Sequence, residues 1–129
     1  MPQWWIIFLL LCLDFCKKLC TDACIQLARD CQIALSCLSR SGIDMSLVQP
    51  FCSVLKAAIA SEFWRTRLST LDFLQALVFN NFILFWKAGE ATQKLLLDIT
   101  KQALTDEQLE VRVKASQVSW FLTVNYISA

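Results

Sequence analysis

The chain has 129 residues, 57% of them hydrophobic, with two Gly, two Pro, seven Cys, no His and a formal net charge of +1. So little Gly and Pro is far below ordinary usage, which argues against the tight turns of a β-sandwich or a glycine-rich phosphate loop, and the lack of His removes Ser/His and Cys/His nucleophile pairs and His-containing zinc sites. Twelve basic and eleven acidic residues are scattered singly or in short pairs such as Lys17-Lys18 and Asp106-Glu107, so no basic stripe is present to track nucleic acid.

Residues 4–13 are an unbroken apolar run, too short to cross a bilayer. The run lacks the basic flank and small-residue cleavage site of a signal peptide, and the reading favoured is a buried helix over residues 4–18. Cys12, Cys16, Cys20 and Cys24 recur every four residues there and beyond. Such a stripe turns by about 40° per step on a helix, so the four thiols do not converge on one metal, and small apolar residues in a reduced interface are expected. Thr21 offers an N-cap for a second helix to about residue 38, ended by Gly42 in the left-handed conformation.

Asp44 or Ser46 opens a third helix, with Pro50 in its first turn or so, which ends near Ala60. Ser61 is expected to cap a fourth, and the apolar run over residues 79–86, interrupted by Asn80 and Asn81, either extends it or begins a bend. Ala88-Gly89 breaks the chain. A fifth helix follows over residues 90–103, with Leu95, Leu96, Ile99 and Ala103 on one side. Thr105-Asp106-Glu107-Gln108 fits a capping box, Thr105 accepting from the Gln108 backbone while the Gln108 side chain reaches back, and a sixth helix runs to about Thr123.

Shifting the chain by 84 residues lays Thr21-Asp22 on Thr105-Asp106, Ile25 on Leu109, Leu27 on Val111, Ala34 on Val118 and Leu38 on Leu122. Eighty-four is twice 42, the length of a helix-pair repeat. An intervening copy is expected with Thr66-Arg67 opposite Val111-Arg112. The architecture expected is therefore an all-α, HEAT-like or armadillo-type solenoid of about three helical hairpins: residues 1–42, 43–87 and 88–124, with 125–129 as a tail. Interior repeats expose apolar surface until neighbours cover it, which accounts for the hydrophobic composition. The chain then reads as a piece of something longer that is prone to self-association when alone.

The Asp106, Val111-Arg112 and Ala115 pattern resembles the second helix of a HEAT repeat. Trp64-Arg65, the stretch Leu71-Asp72-Phe73-Leu74-Gln75-Ala76-Leu77-Val78-Phe79-Asn80-Asn81 and the block from Asp106 to Arg112 together resemble the C-terminal part of the proteasome activator complex subunit 4 family. That resemblance implies a non-catalytic scaffold without cofactor or metal, whose parent caps the α-ring of the 20S proteasome and promotes ubiquitin-independent degradation of peptides and acetylated histones in nucleus and cytoplasm. No nucleic-acid or membrane partner is expected. The family opens the 20S gate with a hydrophobic-Tyr-X tail; here Ser128 stands at the penultimate position, so the tail is not expected to act that way. The resemblance also implies an acetyl-lysine site at Asn125 and Tyr126, an amide donor beside an aromatic wall. Asn81-Phe82 is a second pair of this kind, and either pair equally suits a helix-terminal Asn beside a packing aromatic. Two readings stand as alternatives: a generic HEAT or armadillo adaptor, and a small secreted or membrane-anchored cysteine-rich protein.

Overall fold

A computed structural model describes residues 42–127 continuously apart from the Ile127 side chain, together with helical positions between 26 and 40. The apolar run at 4–13, the cysteine stripe, the first expected helix, the Thr21 cap and most of the 84-residue pairs lie outside the described residues. After a 3-10 turn at Met45–Leu47 come α1 (Val48–Ile59), α2 (Trp64–Asn80), α3 (Phe82–Lys87), α4 (Glu90–Ala103) and α5 (Leu109–Leu122), followed by a π-helical turn, Thr123–Ile127. There is no strand among the described residues, and the protein is all-α with its helices packed on one another.

Each helix forms because apolar residues recur at helical spacing. In α5 the buried positions are Val111, Ala115, Val118 and Leu122, an i, i+4, i+7, i+11 series. They meet Leu71, Leu74, Leu77 and Val78 of α2, Leu55 and Ile59 of α1, Leu96 and Ile99 of α4, and Phe85 of α3 in a single core cluster. Burying each such side chain contributes about 1.5–3 kcal/mol. The polar groups caught in this core are satisfied locally: Thr70 and Thr100 donate their hydroxyls to the carbonyls of Thr66 (2.7 Å) and Leu96 (2.8 Å).

The helices stack in pairs. α1 packs on α4 and α2 packs on α5. α1 begins at Val48 and α4 at Glu90, 42 positions later, while α2 ends at Asn80 and α5 at Leu122, again 42 later. Lateral contacts follow the same offset, Asp72 pairing with Lys114 at 2.7 Å and the Phe79 ring lying 6.3 Å from that of Phe121. Side neighbours that advance together make α2 and α5 parallel, as in stacked helical hairpins. The register differs from the expected one by three residues, since Ser69-Thr70, not Thr66-Arg67, fall opposite Val111-Arg112. The cause is a later start for α5, three positions beyond the equivalent of Trp64.

Three expected helix ends are built differently. Gly42 is not left-handed, and the described glycine with positive φ is Gly89 at 99°, where a Cβ would be strained. Ser61 does not cap α2: its Oγ accepts from the Phe63 N–H at 3.2 Å two residues on, and the helix starts later, at Trp64. The capping box is also absent. Thr105 donates to the Gln102 carbonyl at the end of α4, and Asp106 instead accepts the Gln108 N–H at 2.9 Å.

Candidate functional site

The run over residues 79–86 bends. Asn81 leaves helical geometry (φ −125°, ψ 36°) because its side chain is used twice: Nδ2 donates to the Leu77 carbonyl at 3.1 Å and Oδ1 accepts the Ile43 N–H at 3.2 Å. This buried amide ties the α2–α3 bend to the loop before α1. Asn81 is therefore a structural hinge pin, and its neighbour Phe82 is turned toward the π-helical turn that follows α5.

Around that turn lie the two residues expected from sequence. The Asn125 side chain is half-buried and donates from Nδ2 to the Phe121 carbonyl at 2.7 Å. Tyr126 is buried, stacked on Phe82 with centroids 5.0 Å apart and on Trp86 at 6.1 Å. Its hydroxyl donates to the Phe82 carbonyl at 3.3 Å, and burial pushes the phenol well above its ordinary pKa. Phe82 and Trp86 are themselves 6.2 Å apart. The three rings are inclined by 23–35° to one another, so they form a stack and not a box. Asn125 precedes Tyr126 in the π-helical turn, and of the three stacked rings Trp86 is the exposed one.

A second polar centre joins the repeats, and sequence reasoning missed it. Arg67 in α2 forms a bidentate pair with Asp106 in the α4–α5 loop, Nε to Oδ2 at 2.6 Å and Nη2 to Oδ1 at 2.9 Å, while Nη1 donates to the Ser61 carbonyl at 2.8 Å. The two side chains keep 15% and 8% of their exposure. Burial alone would raise the Asp106 pKa, but the hydrogen bonds from Arg67 and the Gln108 amide, with the charges of Arg67 and Arg112, outweigh it and hold the carboxyl below its ordinary value. Arg112 donates to the carbonyls of Asp106 and Glu107. The only sequence signal for this link was an Asp in a turn 39 positions after an Arg.

Arg65 lies 5.1 Å over the Trp64 ring and Lys114 pairs with Asp72, so Arg65, Arg67, Arg112 and Lys114 all have partners within the chain. Among the described residues no group of His, Cys, Asp and Glu is arranged to hold a metal, and no helix is long and apolar enough to cross a membrane.

Paired, laterally stacked helices with a 42-residue offset and an Asp–Arg link between neighbours define an all-α helical-repeat protein. No family profile matches the chain. Among individual proteins it is similar to proteasome activator complex subunit 4 of Homo sapiens, 32% identical over 104 residues, or 80% of this chain and 6% of that protein. It is similar also to subunit 4B of Danio rerio, 31% identical over 108 residues, 83% of this chain and 6% of the relative. The chain belongs to the proteasome activator complex subunit 4 family, and it spans about 6% of the length of the curated relatives it matches.

Proposed function

We propose that the chain serves as a stretch of the helical-repeat scaffold of a proteasome activator, acting through protein–protein contact and not through catalysis. The observation that carries this is the likeness to activator subunits along 80% of the chain. The stacked-repeat geometry supports it, since such stacks present extended surfaces for binding partners. The partner class is the 20S core, reached through its α-ring, in nucleus and cytoplasm. Tagged chain mixed with purified 20S particles is expected to co-migrate with them on native gels at low salt. Migration of the chain entirely apart from the particles, with their peptidase rate unchanged, contradicts the proposal.

The finer reading is acetyl-lysine recognition, with acetylated histones as substrates of the parent activator. Asn125 supplies the amide. One of its N–H groups is used by Phe121, and an amide nitrogen has a second to offer a neutral acyl oxygen. Trp86 supplies the aromatic surface, and Tyr126 acts beneath it as a packing and orienting residue. A histone peptide bearing acetyl-lysine is expected to bind the chain at least fivefold more weakly after Asn125→Ala, while Tyr126→Phe has little effect. Equal binding of acetylated and unmodified peptide contradicts this reading.

A further inference from the structure

The aromatic surface offered by Trp86 depends on where α3 points. Had α2 continued straight, Trp86 would fall seven residues beyond Phe79 and within about 20° of it around the axis, on the outward row where Phe79 is 69% exposed. The bend at Asn81 takes Trp86 off that row and sets its ring 6.1 Å from that of Tyr126, the residue after Asn125. Beyond the bend the helical ladder resumes at once, the N–H of Phe85 donating to the Asn81 carbonyl at 3.1 Å and that of Ala88 to the Leu84 carbonyl at 3.0 Å. α3 therefore follows the conformation of Asn81 as one short rigid helix.

Phe85 is fully buried and fixes the depth of α3. Its direction is set at Asn81, whose buried amide accepts the Ile43 N–H at 3.2 Å and donates to the Leu77 carbonyl at 3.1 Å. The second of these bonds is local to α2, and the Leu77 carbonyl also takes the Asn81 backbone N–H at 3.0 Å. The first reaches outside the helix, to the loop before α1. A buried N–H left without its acceptor is costly, so the Ile43 N–H holds the Asn81 side chain, and with it the bend, in one arrangement. We propose that Asn81 is a positioning residue of the acetyl-lysine site, acting through the Ile43 N–H to aim Trp86 at the π-helical turn that carries Asn125, a role that rests on the acetyl-lysine reading. The loop before α1 thereby sets the binding surface through a single side chain.

The whole chain labelled with 5-fluorotryptophan tests this, its Trp86 fluorine resonance assigned by Trp86→Phe. Asn81→Leu is expected to shift that resonance by withdrawing the ring from Tyr126, and to cut the preference for an acetylated over an unmodified histone peptide at least fivefold. Ile43→Pro removes the same bond from its other end, in a loop where no helix is broken, and is expected to shift Trp86 likewise. Asn81→Asp keeps an acceptor for the Ile43 N–H and is expected to hold the resonance and stay within twofold of wild type. Leu55→Ala opens a cavity at a fully buried position in α1; it also destabilises the chain but is expected to change neither readout. Far-UV circular dichroism identifies the variants that are folded in the assay. A Trp86 resonance unmoved by Asn81→Leu and Ile43→Pro overturns the proposal, as does an effect of Asn81→Asp equal to that of Asn81→Leu, or an equal shift in Leu55→Ala. A wild-type chain that binds both peptides alike contradicts the acetyl-lysine reading instead, and the Trp86 resonance then decides the positioning role alone.

Discussion

The link between Arg67 and Asp106 is the most consequential polar contact in the described residues, and Asp106→Ala probes it directly. The substitution removes two charge-assisted hydrogen bonds of 2.6 and 2.9 Å and the acceptor for the Gln108 N–H. It leaves the Arg67 guanidinium, whose side chain is 15% exposed, with only the Ser61 carbonyl. Hydrogen bonds to charged groups are worth about 1.5–3 kcal/mol each, but they are not additive, and breaking a largely buried ion pair from one side costs about 3–5 kcal/mol. A loss of about 3–4 kcal/mol is expected in urea unfolding followed by Trp fluorescence at low micromolar chain. Asp106→Asn keeps an acceptor for Gln108 and is expected to cost about half as much. The sign with pH follows from the lowered carboxyl pKa: the stabilisation is complete above the ordinary Asp range and is lost as pH falls through the folded-state value. Below that value wild type and Asp106→Asn should converge. A cost under 1 kcal/mol for Asp106→Ala, or a wild-type advantage over Asp106→Asn that does not shrink as pH falls below the ordinary Asp range, would refute the reasoning.

Other expectations rest on separate features. Leu74→Ala, at a fully buried position in α2, should cost about 3 kcal/mol, read as a shift in the same urea transition. Asn81→Leu should cost about 2 kcal/mol by orphaning the Ile43 N–H, and hydrogen exchange at that amide should rise with it. Gly89→Ala should cost about 1–3 kcal/mol, because φ 99° with ψ 174° is a region essentially confined to glycine, although no neighbour blocks the added methyl. Burial pushes the Cys52 thiol up from 9.0 to about 11. The native thiol therefore stays protonated where the unfolded one ionises, and stability contributed by this group is present below pH 9 and declines as pH rises toward 11. In a thiol-reagent titration at pH 8, exposed Cys37 should react at once and Cys52 only on unfolding.

Much of the fold was legible because it is written in short-range periodicity. The bounds of α4 and the position of Pro50 near the start of α1 follow from apolar spacing and backbone chemistry, and Ala88-Gly89 marks a real break. What escaped depends on partners distant in sequence. Asn81 was recognisable as an interruption, but whether it bends the helix is decided by the Ile43 N–H, 38 positions away. Thr105 and Gln108 have the spacing of a capping box, yet Thr105 is taken by the end of α4, and Asp106 serves both Gln108 and Arg67. The 42-residue offset between α1 and α4 is half of the 84-residue shift read in the sequence, most of whose pairs lie outside the described residues, while the register of the middle copy was set by the late start of α5. For Asn125 and Tyr126 the chain position was legible and the environment was not. The π-helical turn carries Tyr126 inward onto Phe82, leaving Trp86, a residue expected only to pack, as the exposed ring.

The proposed role in a proteasome activator is tested most directly by exchange. Residues of the human relative that align with this chain are replaced by this chain, and the chimera is assayed for stimulation of peptide hydrolysis by purified 20S particles. The account predicts that the chimera binds the 20S core and retains at least half of the parent's stimulation. A chimera that folds, as judged by its sedimentation and circular dichroism, but neither binds nor stimulates the particle would contradict it.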